Sequence, residues 1–382
     1  MGRAQRLQVG TTVASPRVAT SNQRLDDAPR GSHSMIRAST RWRADGKLGR
    51  VITHPEKVLF PDSGITKGEL CAYYEAVAPL MLPHIRGRPI TMERFPAGIE
   101  KKGFIQKDVS KGFPSWLERV EVEKRNDKAG ESVHYPLAGD ARSLVWLANQ
   151  NSITPHVWIS RVPKLHQPDL CVFDLDPSVE DPQSLRTAAL AVRELLDEFG
   201  LPSYVKTSGS KGFHILIPLD GEGDAGSVWR FAHGAGAVLV KHHPHILTQE
   251  FIKADRGDRI FVDTGRNLPG ATFAAVYAVR AKPGAPISAP CTWAELEGGT
   301  VGPRTFTLRT MAARIGEVGE LWSGMDDRRC SLRDATAKLQ TMLTDADWSE
   351  ALAASTRRPV SRNAPRKQTR GTPRGAAPKT KP

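Results

Sequence analysis

Leu170-Cys171-Val172-Phe173-Asp174-Leu175-Asp176 is the stretch that decides the fold: a short apolar run closing on two acids. A run of that length and composition reads as a buried strand. Side chains alternate across a strand with period two, so Asp174 and Asp176 project to one face while Phe173 and Leu175 go to the other. Asp181-Pro182 comes next, an N-cap acid with proline at the first helical position, and predicts a helix through Leu195. Downstream come a strand over Tyr204 to Thr207, a glycine loop, a strand over Phe213 to Leu219 and a helix from about Ser227 to His242. Ile260-Phe261-Val262-Asp263 is a further strand ending in an acid, and Ala274 to Arg280 continues the sheet. Upstream, Thr66-Lys67-Gly68-Glu69 has capping-box spacing and opens a helix toward Pro83, with Leu70, Tyr73, Tyr74 and Val77 on its apolar face. Strands are expected near Pro89 to Phe95, Val133 to Pro136 and Val157 to Ser160, with a helix near Arg142 to Asn151. The class is mixed α/β.

The 382 residues carry 54 Lys and Arg against 41 Asp and Glu, a net charge of +13 that favours anionic partners. That excess sits at the ends. Residues 1–49 hold nine basic and three acidic side chains, and residues 357–382 hold nine basic and none acidic, which leaves the centre slightly negative. Such ends read as disordered electrostatic arms, able to attract phosphates without selecting a sequence. The expected organisation is a basic extension over 1–47, one α/β unit over 48–300, a helical extension over 301–350 and a basic tail over 351–382. Met35 is an alternative start to Met1. No apolar run approaches the roughly 20 residues that span a bilayer, so no membrane partner is expected. Cys71, Cys171, Cys291 and Cys330 form no CxxC pair, which excludes a zinc knuckle and a disulfide scaffold and fits a cytoplasmic setting.

Two ionised carboxylates on an apolar strand repel each other and are costly to desolvate, and a hard divalent cation such as Mg²⁺ or Mn²⁺ relieves both. Asp263 offers a third ligand. Three such acids can seat two ions at the spacing used for in-line phosphoryl displacement. Thr207-Ser208-Gly209-Ser210-Lys211-Gly212 lies between two strands; its small residues expose backbone N–H groups to an anion and Lys211 adds a point charge. It lacks the GxxxxGK[ST] pattern, and a tight turn is the plain alternative. His214, opening the next strand, is either a phosphate donor or a satisfied core histidine.

Taken in order, Phe173-Asp174-Leu175-Asp176-Pro177, Ser208-Gly209-Ser210-Lys211-Gly212-Phe213-His214 and Phe261-Val262-Asp263 with Arg266-Asn267 closely resemble the polymerase domain of bacterial LigD. That family belongs to the archaeo-eukaryotic primase superfamily and works in Ku-dependent non-homologous end joining. The likeness covers roughly Leu48 to Glu297. It implies a primase-like fold, an α/β (α+β) arrangement of mixed central sheets flanked by helices. It also implies a template-directed nucleotidyltransferase that adds nucleotides, ribonucleotides included, to primer 3′ ends at gaps. Asp174, Asp176 and Asp263 look like the family's metal-binding catalytic triad for two Mn²⁺ or Mg²⁺ ions. Ser208, Lys211, His214 and Arg280 match residues that hold the triphosphate of the incoming nucleoside triphosphate. His156 matches a nucleotide-contacting histidine and Arg266 an active-site arginine. Lys57 and Lys67 resemble the basic pair that grips a downstream 5′-phosphate, and Phe104 sits where an aromatic stacks on the template.

The partners implied are DNA ends and gapped duplexes, with Ku and a separate ATP-dependent ligase, at the bacterial nucleoid. Lys253-Ala254-Asp255-Arg256 misses the glycine of the KxDG ligase motif, so a polymerase module alone is expected, and Thr264-Gly265 replaces a bulkier pair after Asp263. Two rivals stay open. Asp174-x-Asp176 also suits a haloacid-dehalogenase-like phosphatase, against which Ser178 and the mid-chain position count; the other is a non-catalytic DNA-end-binding module.

Overall fold

Leu170–Pro177 is a strand, third in a six-stranded sheet ordered Leu247–Thr248, Ile260–Asp263, Leu170–Pro177, Phe213–Pro218, Tyr204–Thr207 and Pro290–Cys291. The computed structural model describes residues 52–109, 111–124 and 131–356. The readings made for residues 1–47, with Met35, and for 357–382 lie outside them. All neighbours in the sheet are antiparallel except the first pair.

Leu170, Cys171, Val172, Phe173 and Leu175 are buried. Helices Pro182–Glu198 and Ala225–His242 pack on this strand. They turn Leu185, Ala188, Val192 and Leu195, and Val228, Phe231, Ala235 and Val238, into the core. Each large apolar side chain so buried contributes about 1.5–3 kcal/mol, which outweighs the cost of carrying two carboxylates on the same strand. The helix starts follow their local signals. Asp181 accepts from the amides of Gln183 and Ser184 with Pro182 at the first position, and Thr66 and Glu69 close a reciprocal capping box at the head of Lys67–Ile85.

A second, four-stranded antiparallel sheet runs Thr272–Ala274, Ser152–Trp158, Ile90–Arg94, Phe104–Gln106. The two sheets meet where Lys206 Nζ donates to the Ala274 carbonyl at 3.0 Å and the ring of His214 stands edge-on to Phe273. This corrects one expectation. Ala274 to Arg280 does not continue the sheet of Asp263: Thr272–Ala274 pairs with Ser152–Trp158, and Ala278–Val279 pairs separately with Ile287–Ser288. Tyr277, at φ +60°, breaks the extended run between them. The strand expected from Val157 begins earlier, at Ser152, and ends at Trp158.

Helices Met311–Val318, Arg333–Met342 and Asp345–Thr356 close the described chain. The last one enters the segment read as tail from 351, because packing holds it. Ala351 is buried, the Phe251 amide donates to the Ala354 carbonyl, and Lys241 pairs with Asp347 at 3.0 Å. Among the described residues no helix is long and apolar enough to cross a membrane.

Asn267 carries more of this fold than its position in a turn suggests. Fully buried, it accepts from the Val172 amide at 2.8 Å and donates to the Val172 carbonyl at 2.7 Å. Its side-chain amide thereby stands in for a ladder partner just past the point where Ile260–Asp263 leaves the central strand. Asn267→Leu strands two buried backbone groups, each worth about 1–3 kcal/mol, and is expected to lower the denaturant midpoint by the equivalent of about 3 kcal/mol with m unchanged.

Candidate active site

The strand registers place ionisable side chains in a row. Asp263 lies opposite Asp174, Asp174 opposite His214, and His214 opposite Lys206. Directly opposed residues of an antiparallel pair share a face, with Cα atoms about 4.5–5.5 Å apart. The first and third of the predicted acids therefore meet although 89 residues separate them in sequence. Arg266, carried on the turn that Asn267 anchors, joins them: Nε donates to Asp174 Oδ2 at 3.1 Å and a terminal nitrogen lies 3.1 Å from Asp263 Oδ2.

Burial alone raises the Asp174 carboxyl, but His214 and Arg266 outweigh it and hold the group well below the usual carboxylate range. Asp263 moves the other way, raised by burial and by the charge of Asp174 in spite of Arg266. Neighbouring acids pushed apart in this manner mark a site where a cation is favoured. His214 is lowered to about 4 by burial and by Lys206, so it is neutral near pH 7.

Asp176 does not join the pair in this arrangement. It is on the same face, but its carboxylate is half-exposed and rests 3.2 Å from Arg256, whose guanidinium stacks on Phe261. Among the described residues no three His, Cys, Asp or Glu side chains already form a metal-binding cluster. The donor chemistry nevertheless fits a hard divalent cation: two carboxylates opposed across the ladder, and a third on the same face that needs only to release Arg256.

The glycine loop packs against this strand. A methyl on Gly212 would overlap the Leu175 carbonyl oxygen, and Gly209, at φ +63°, has Arg280 Cγ only 2.6 Å from where a Cβ would stand. Ser208 turns its hydroxyl inward to accept from the amides of Ser210 and Gly212. Two arginines grip the loop's carbonyls, Arg280 on Ser208 at 2.5 Å and Arg304 on Ser210 at 2.7 Å. Lys211 lines a cavity of about 370 Å³ with Pro177, Asp181, Leu185, Pro303 and Arg304.

From the second sheet, His156 brings Nε2 to 3.6 Å of Glu93, whose carboxyl stays below its ordinary value because His156, Thr154 and Arg280 outweigh burial. His156 itself is lowered, by burial first. Lys57 and Lys67 also come together: the Lys67 amide donates to the Lys57 carbonyl at 2.8 Å, and the Lys67 ammonium, lowered by burial and by Lys57, donates to Thr53 at 2.9 Å. Phe104 lies on the edge strand, 47% exposed beside Ile105, with the Arg94 guanidinium 5.3 Å from its ring centre.

Glu93, Arg256, Arg304 and Lys206 were not legible as site residues. Lys206 alone had a sequence signal: two residues before Ser208, it shares the face of the strand that the row requires.

Opposed carboxylates at strand ends, a glycine loop gripped by arginines and a neutral histidine between them fit a nucleotidyltransferase of the primase-polymerase class. Residues 66–322 match the family model for the LigD primase-polymerase domain, and the chain belongs to that family. It is 34% identical over 284 residues to the multifunctional non-homologous end joining protein LigD of Mycobacterium bovis, a stretch covering 72% of this chain and 37% of that one. The LigD of Pseudomonas aeruginosa is 33% identical over 298 residues, 77% of this chain and 34% of its own. The matched region thus spans little more than a third of these relatives. In structure, the chain resembles the polymerase domain of Mycobacterium tuberculosis ligase D solved in complex with DNA. The TM-score is 0.68 at 33% identity, over 73% of this chain and 98% of that one.

Proposed function

We propose that this protein extends primer 3′ ends by template-directed nucleotidyl transfer, filling gaps and processing ends by nucleotide addition during DNA double-strand break repair. The observation that carries the reading is the Asp174–Asp263 pair, opposed across the ladder and bridged by Arg266. The family match over residues 66–322 counts against the phosphatase alternative, and a purely end-binding module has no use for a desolvated carboxylate pair.

Divalent ions, Mn²⁺ or Mg²⁺, would supply acidity to the attacking 3′-hydroxyl and charge for the leaving pyrophosphate, held by Asp174, Asp263 and Asp176. The chain's own residues do the rest. Ser208, Lys211 and His214 of the loop and the strand after it receive the triphosphate, and Arg280, which holds the Ser208 carbonyl, fixes the loop and adds positive charge beside it. His156 contacts the nucleotide from the second sheet. Phe104 stacks on a template base, a contact worth about 1–3 kcal/mol that tolerates any sequence, as arbitrary ends require. Lys57 and Lys67 bind the 5′-phosphate across the gap. The partners in this reading are gapped duplexes and DNA ends, with Ku holding the ends and a ligase sealing them at the nucleoid. The relatives' printed role in end joining supports that placement.

Primer extension on a one-nucleotide gap tests the reading, with ribo- and deoxyribonucleoside triphosphates supplied in turn in Mn²⁺ or Mg²⁺. Metal-dependent, template-matched addition, with ribonucleotides accepted, is the expected result; phosphate release from small phosphoesters without extension would overturn it. Lys57→Ala with Lys67→Ala is expected to remove most of the preference for gaps bearing a 5′-phosphate. An equal loss on gaps ending in 5′-hydroxyl would discard that assignment.

A further inference from the structure

The Lys206 side chain is fully buried, yet the family-type reaction just described leaves it no role. Its nitrogen has three neighbours: His214 Nδ1 at 2.6 Å, the Ala274 carbonyl at 3.0 Å and the Ser288 hydroxyl. That hydroxyl spends its own proton on the Thr207 carbonyl at 3.0 Å, so toward Lys206 it only accepts. The Ala274 carbonyl only accepts as well. Burial and Arg280 push this ammonium well below the ordinary lysine range while Asp174 pulls it back up; as an ammonium it has three protons and no lone pair, two are thereby placed, and the third falls to His214 Nδ1.

The far side of the imidazole agrees. His214 Nε2 lies 3.4 Å from Asp174 Oδ1. Asp174 is held ionised by Arg266, and a bare ring nitrogen facing it would set lone pair against carboxylate. Nε2 therefore carries the hydrogen and Nδ1 is bare, the state that accepts from an ammonium.

We propose that Lys206 is a positioning residue that locks His214 in its Nε2–H tautomer, so that the ring presents a donor, never an acceptor, to the ground in front of Asp174. Ammonium, imidazole and carboxylate lie in line on three adjacent strands, and the outer two fix which nitrogen of the middle one bears the proton. The same lock hands the loop a ready hydrogen-bond donor for a phosphate oxygen. Lys206 acts through His214 and touches no substrate. The functional consequence rests on the nucleotidyl-transfer reading; the tautomer does not.

The test begins with the unaltered protein. With 15N-labelled histidine, and His214 assigned by the signal lost in His214→Gln, the ring nitrogens should report a bare Nδ1 and a protonated Nε2. A protonated Nδ1 overturns the proposal. Kinetics then separate positioning from simple support. Lys206→Met, confirmed folded by circular dichroism, is expected to raise the nucleotide KM about tenfold with kcat changed much less, the scale of one misdirected charge-assisted hydrogen bond. In the His214→Gln background the same substitution should add almost nothing. A KM unchanged by Lys206→Met, or one whose change adds in full to that of His214→Gln, overturns the proposal. Absence of primer extension by the unaltered protein would instead sink the nucleotidyl-transfer reading, and the ring-nitrogen spectrum would still decide for or against the lock.

Discussion

Asp174→Asn is expected to lower the rate of primer extension on the order of 10³-fold while leaving binding to gapped duplex within about twofold. The substitution keeps the volume and the strand, so the loss isolates the charge. Asp174 stands at the centre of the acid group: Arg266 on Oδ2, His214 on Oδ1, and Asp263 opposite it across the ladder. An amide offers at most one oxygen. Whichever way it is turned, its NH₂ confronts either the Arg266 guanidinium or the His214 Nε2–H, donor against donor. The charge that would hold a divalent ion disappears with it. In the function proposed above, duplex binding draws on Lys57, Lys67 and Phe104, none of which contacts this carboxylate, and electrostatic attraction to the backbone is additive over many phosphates. Single-turnover extension beside an electrophoretic binding titration reads both quantities. Extension retained within tenfold would remove Asp174 from the reacting centre.

What could be read in advance follows the range of the interactions. The central strand, its two following helices and the Ile260–Asp263 strand are set by local pattern, and the acids at strand ends disclosed a common face because alternation has period two. Pairing across the ladder is not local. That Asp263 lands opposite Asp174 while Asp176 leans to Arg256 depends on register and on an arginine 80 residues away from it in sequence. Glu93 gave no sign because its partner His156 belongs to a neighbouring strand whose start was itself misplaced. The Ala274 to Arg280 segment misled for a different reason. Its composition is that of a strand, and only the left-handed backbone at Tyr277 splits it between two sheets. Residues 351–356 looked like the start of a basic tail, but the helix is held by a face that packs on Ala225–His242, which no property of those six residues announces. Lys206 is the instructive miss: lysine is read as surface by default, and here the fold spends three acceptors to keep one buried.

Arg266→Met should expose the electrostatic strain that the row contains. At present one guanidinium neutralises Asp174 and Asp263 together, and the two acids in turn raise Arg266 against the effect of its own burial. Methionine keeps much of the length and removes the charge, leaving two opposed carboxylates without it. Breaking a buried pair costs about 3–5 kcal/mol, but the Arg266 side chain is 40% exposed, and solvent screening brings the expectation to about 2 kcal/mol. In chelator the melting temperature should fall by several degrees, on the order of 2–4 °C per kcal/mol for a domain of this size. Millimolar Mn²⁺ should then restore more of the loss in the variant than it adds to the unaltered protein, because the cation takes over the work of the guanidinium and stabilises by binding only the folded state. Extension with saturating Mn²⁺ should remain about 10²-fold down, since in the proposed function Arg266 also contributes positive charge beside the reacting centre. The two readouts fail separately. Equal Mn²⁺ shifts in both proteins would mean that the acids do not share a cation site, whereas normal extension would mean that Arg266 serves the fold and not the chemistry.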